Sequence, residues 1–156
     1  MKIPRGLDGE SIQVLEIMLK QIKNNSLSLI SLVVALSALS YNTWRNEQSE
    51  YNRNIRNAGF EVLLHVGEIQ RIVYLAHYDK DTLRGNPRSG WVEILVIKDL
   101  SQLMPADVIK ASDELYDSWS QHWDILGTNS DMGVADIDHK INQLRIKVLA
   151  SLKVLD

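Results

Sequence analysis

NNSLSLISLVVALSALSYNTW, residues 24–44, is twenty-one consecutive residues without a charged side chain. As a helix rising about 1.5 Å per residue it is roughly 31 Å long, the thickness of the hydrocarbon layer of a bilayer. It is the only stretch of the chain that reads as a membrane span. Its strongly apolar part, 27–39, is shorter than an ideal span and is diluted by Ser28, Ser31 and Ser37. Serine hydroxyls in a helix can bond back to the carbonyl one turn earlier, which makes them tolerable in lipid. Lys20 and Lys23 precede the stretch, and Tyr41, Trp44 and Arg45 close it, as interfacial anchors do. The expectation is a single-pass transmembrane helix over 26–44. The competing reading is the central helix of a soluble domain, buried by its neighbours.

The rest of the 156 residues leaves room for one further domain. The formal net charge is −3, and the part after Arg45 carries seventeen acidic against twelve basic side chains, a balance of −5. Nucleic-acid binding needs a clustered basic surface, so DNA is not an expected partner. The chain has no cysteine, which removes disulfides, thiolate metal sites and cysteine nucleophiles. Ala35-Leu36-Ser37 and Ala38-Leu39-Ser40 loosely fit a signal-peptidase pattern, but the segment is read as an uncleaved anchor.

Before the span, MKIPRGLDGE contains Pro4, Gly6 and Gly9 and reads as an irregular lead-in, its tail expected to pack against something. From Ser11, the residues Ile12, Leu15, Leu19 and Ile22 recur at helical spacing with Glu16, Lys20 and Lys23 elsewhere on the wheel. This short amphipathic helix, closing a lead-in of 1–25, suits the membrane interface or a neighbouring subunit. Within the span Ser28, Ser31, Ala35, Ala38 and Asn42 form one stripe of small or polar residues, the kind of face on which helices approach closely in lipid. Ser26, Ser37 and Ser40 fall on another face.

After the span, 45–57 (RNEQSEYNRNIRN) is polar all round and free of Pro and Gly, so it continues as a helical stalk into a domain over 45–156. Ile55, Gly59, Val62, Val66, Ile69, Val73 and Ala76 alternate steps of four and three, the register of a bundle-facing stripe running to about Tyr78. Asn86 followed by Pro87 fits a helix N-cap and its first-turn proline. That second helix carries Trp91, Ile94, Leu95, Ile97 and Leu100 and ends near Met104, before Pro105. A third, over 106–126, carries Val108, Ala111, Leu115, Trp119, His122 and Leu126, with Gly127 as its stop. After a turn over 128–133 a fourth runs over 135–155 on Ile137, Ile141, Leu144, Val148, Leu152 and Leu155. The expected fold is all-α: a transmembrane helix continuing through a stalk into an up-down four-helix bundle, with no strand and no repeat.

Candidate chemistry is sparse. Arg71 and His77 have the R-x5-H spacing of HEPN-type ribonucleases, yet about 0.6 such pairs arise by chance in a chain of this composition. Glu61, His65 and Glu68 share one helix face, but a bundle metal site needs ligands from several helices. Asp136 and Asp138 near His139 sit at a helix start, where acids favour the dipole. Trp91, Trp119 and Trp123 could line a pocket, but aromatics at this spacing more often fill a core. No phosphate loop, catalytic triad order or HExxH is present, so no enzyme, cofactor or metal is expected.

The segments TWRNEQSEYNRNIRNAGFEVL, AHYD and GNPRSGW give the chain after Leu29 a resemblance to uncharacterised single-pass proteins of Gram-negative bacteria. That resemblance implies an inner-membrane location and a helical soluble domain, with no assigned activity. Two functions fit. The first is a membrane-anchored adaptor or accessory subunit, whose span forms a homo-oligomer or docks a membrane-protein partner. The second is a ligand-gated effector whose serine-bearing spans form a pore when the bundle binds a nucleotide-like ligand, with Arg84 and Arg88 as anion ligands beside the Asn86-Pro87 helix start. Lys20 and Lys23, with Lys2 and Arg5, compete with Arg45, Arg53 and Arg56 in the positive-inside rule, and a cytoplasmic bundle is the orientation adopted.

Overall fold

A computed structural model describes residues 9–81, 83–128 and 131–155. The protein is all-α, with no strand among the described residues. The helices are α1 (Gly9–His77), α2 (Pro87–Ser101), α3 (Ala106–His122) and α4 (Asp131–Lys153), and a 3-10 turn, Trp123–Ile125, follows α3. The chain divides into two compact units, Met1–Gln48 and Ser49–Asp156. Helix α1 contributes to both. The lead-in and its expected packing lie almost wholly outside the described residues.

Sixty-nine residues form α1 because nothing in the chain stops it: no Pro or Gly occurs between Gly9 and Gly59. Residues 11–23, read above as a separate amphipathic helix, belong to the same helix as the apolar stretch. In the first unit that stretch makes α1 the one described helix long and apolar enough to cross a membrane, and none of its apolar window is buried.

The second unit is an up-down four-helix bundle. Its registers can be read from side-chain contacts. Between α1 and α2, His65 meets Glu93 and Ile69 meets Gly90, a pairing that runs in opposite directions. Between α2 and α3, Lys98 meets Asp113 and Trp91 meets Tyr116. Between α3 and α4, Asp107, Glu114 and Ser118 meet Lys147, Lys140 and Asp136 in turn. Gln70 meets Arg145, and Gly59 lies against Leu152, which closes α4 back onto α1. Every neighbouring pair is antiparallel, as short connections require.

The core follows the expected stripes: Val62, Val66 and Ile69 from α1, Ile94 and Ile97 from α2, Leu115 and Trp119 from α3, and Ile137, Ile141 and Leu144 from α4 are almost wholly buried. Asn86 caps α2 by accepting the Arg88 backbone N–H, with Pro87 in the first turn. Gly127 has φ +90°, the left-handed conformation that a glycine stop supplies.

Four local expectations are corrected. Helix α2 ends at Ser101, and Gln102, Leu103 and Met104 fold onto its last carbonyls in a tighter turn before Pro105. Helix α3 ends at His122, and the chain tightens to 3-10 through Ile125. Helix α4 begins at Asp131, four residues before the expected Ala135. Its first turn lies against the 3-10 segment, and Gly133 allows the approach: a β-carbon there would stand 2.9 Å from Ile125 Cδ1. Leu95, placed above on the inward stripe of α2, is 48% exposed.

Candidate functional site: the bare apolar segment of the first helix

Leu27, Leu29, Ile30, Val33, Val34 and Leu39 each expose more than half of their surface. Packed runs of large aliphatic side chains left bare are what water disfavours most, and they mark a surface that something else covers. Three hydroxyls in and beside the run bond back to their own helix. Ser31 Oγ donates to Leu27 O at 2.8 Å, Ser26 Oγ to Lys23 O at 2.6 Å and Thr43 Oγ1 to Leu39 O at 3.0 Å. Hydroxyls satisfied within their own helix lose much of their desolvation penalty. Tyr41 and Trp44 lie together at the end of the run with ring centroids 6.1 Å apart. Ser28, Ser31, Ala35, Ala38 and Asn42 are all exposed, and at steps of three and four they share one side of α1.

In the bundle, the sequence candidates are separated rather than gathered. His65 Nδ1 lies 2.6 Å from Glu93 Oε2 on α2, while Glu61 is exposed and Glu68 pairs with Arg71 at 2.9 Å. Arg71 is exposed and His77 buried, six residues and about 120° apart on the helix wheel. His77 instead sets Nε2 3.2 Å from Asp131 Oδ1, with Tyr78 edge-on to its ring. Asp136 accepts the Ser118 hydroxyl at 2.5 Å and faces His122 Nε2 at 3.7 Å, while His139 points to solvent. Ser118 and His122 thus share one carboxylate oxygen, which is not the relay of a nucleophile through a base. Partial burial raises the Asp138 carboxyl above its ordinary value, against the pull of His77 and Arg145. No group of three metal-ligating side chains occurs among the described residues.

Arg84 is tied to Asp81 by an Nε–Oδ2 contact of 2.7 Å. Asp81 also accepts the backbone N–H groups of Arg84 and Leu83, and these bonds, led by the Arg84 N–H, lower its pKa. Arg88 exposes its side chain. The tryptophans pack rather than line a pocket: Trp119 is fully buried, and Trp91 meets Tyr116 and Trp123 edge-on at 5.7 and 6.2 Å. A groove of about 380 Å³ between α3 and α4, lined by Lys110, Ala111, Gln143 and Ile146, is bordered by the Lys147–Asp107 and Lys140–Glu114 pairs.

Set beside protein families, curated proteins and solved structures, the chain matches none of them. Its functional reading therefore rests on its own geometry. Sequence reading missed the His65–Glu93 contact, whose signal is one histidine and one glutamate on adjoining antiparallel stripes. It also missed the outward face of α1 in the bundle, where Phe60, Leu64, Tyr74 and Tyr78 are exposed.

Proposed function

We propose that this protein is a membrane-anchored helical adaptor or accessory subunit, held in the inner membrane by a single pass of α1 and presenting its bundle on the cytoplasmic side. One observation carries the reading: the apolar window of α1 is bare while the bundle completes its own core. Lipid covers such a surface at no cost to the bundle, and hydroxyls bonded back to their own helix suit that environment. The stripe Ser28, Ser31, Ala35, Ala38 and Asn42 provides the face for self-association or for a partner span. A binding role is supported by the separation of the histidines: His65 faces Glu93, His122 faces Asp136 and His77 faces Asp131, with no nucleophile and base gathered at one place among the described residues. The engagement of Arg84 with Asp81 takes support from the ligand-gated alternative.

The test is extraction of the full chain from cells with alkaline carbonate. An integral anchor stays in the membrane pellet, and its loss to the supernatant overturns the reading. Cysteine-accessibility labelling at Leu83, 89% exposed in the loop after α1, reports the orientation.

A further inference from the structure

Along the bundle portion of α1 two stripes run on opposite sides of the helix. The inward one is consumed by the bundle core. The outward one is Asn57, Phe60, Leu64, Gly67, Arg71 and Tyr74, continued by Tyr78 in the turn that closes the helix, all exposed, in steps of three and four without a skip. Phe60 is the chain's one phenylalanine, yet it is 55% exposed, and Leu64 is 65% exposed. Bundles ordinarily give such positions to charged residues, so the large side chains of Phe60, Leu64, Tyr74 and Tyr78 there mark a face with a partner.

We propose that this face is a parallel, in-register coiled-coil seam that pairs the bundle with a second copy of the same chain. In heptad terms Asn57, Leu64, Arg71 and Tyr78 occupy a, and Phe60, Gly67 and Tyr74 occupy d. An asparagine at a is the device by which parallel coiled coils set register and number of strands. Arg56 stands at g and Glu61 at the following e, so opposite charges face each other across a parallel seam. Among the described residues Arg56 makes a long 3.4 Å contact with Leu155 O. Gly67 has open space around its missing β-carbon, which permits close approach midway along the seam. Arg71 enters the seam with its charge met by Glu68 at 2.9 Å. The parallel sense rests on the membrane-anchored reading, because two copies held in one membrane leave it in the same direction.

The absence of cysteine allows a direct test in the full chain. Leu64→Cys and Tyr78→Cys each place a thiol opposite its copy at an a position, and Asp99→Cys, on the outer side of α2, serves as control. In native membranes under mild oxidation both seam variants are expected to form disulfide dimers at least about tenfold faster than the control, given the short reach of a disulfide. Crosslinking at the control rate in both variants overturns the proposal. Crosslinking of Gly67→Cys without Leu64→Cys also overturns it, because that pattern belongs to an antiparallel pair. Carbonate extraction of the same samples separates the two readings: dimers found in the supernatant uphold the seam and defeat the anchor, and monomers in the pellet do the reverse.

Discussion

The six-membered ring of the Trp119 indole packs against Gly90, where α3 meets α2. A β-carbon on Gly90 would collide with the Trp119 ring and stand 2.8 Å from Ile69 Cδ1. Trp119 and Ile69 are fully buried and have nowhere to retreat. Alanine ordinarily stabilises a helix interior over glycine by about 1 kcal/mol, but forcing a carbon into a packed core costs about 1–3 kcal/mol. Gly90→Ala is therefore expected to lower the urea midpoint with an unchanged m-value. A midpoint above that of the parent chain would show that the contact is looser than described.

Asp138 gives a pH-dependent outcome. Its carboxyl is raised because folding partly removes it from water. A group with a raised folded-state pKa contributes stability below its unfolded pKa and loses that contribution as pH rises through the folded value. At neutral pH the ionised carboxylate is a burden, relieved in part by His77 and Arg145. Asp138→Asn should melt higher than the parent at pH 7, and the difference should vanish toward about pH 4, near the ordinary carboxylate range. Equal melting temperatures at pH 7 would contradict the assignment.

Gly127 supplies a left-handed residue between the 3-10 turn and α4, and Lys80 Nζ donates to the carbonyls of Gly127 and Thr128 at 3.2 Å. Gly127→Ala should destabilise by about 1–2 kcal/mol, the cost of placing a β-carbon in that conformation. Thermal melts of the variant and parent measure it directly.

The core lies wholly between Ile55 and Leu155. A chain beginning at Ser49 is expected to be soluble, helical by circular dichroism and cooperative in its melt. Within it Ile141→Ala, at a fully buried position, should cost about 2–5 kcal/mol. An aggregated fragment would mean that residues before Ser49 are needed to cover the bundle.

In the full chain, replacing Ser31, Ala35 and Ala38 together by Leu should weaken self-association in detergent, because bulky side chains hold helix backbones apart. Light scattering reads the oligomer mass, and an unchanged value would remove the stripe from the interface.

The sequence by itself determined where helices form and which side of each is apolar. Heptad spacing put Val62, Ile94, Leu115 and Ile141 inside, Asn86-Pro87 announced the start of α2, and Gly127 marked a stop. Those signals are local, since they depend on residues within two turns of one another. Only the tertiary structure decided what stands opposite each side chain: Glu93 rather than Glu61 for His65, Asp131 rather than Arg71 for His77, and bare surface for Phe60. Periodicity assigns a residue an angle around its helix, but the neighbour that covers that angle comes from another helix, reached only after the chain has turned.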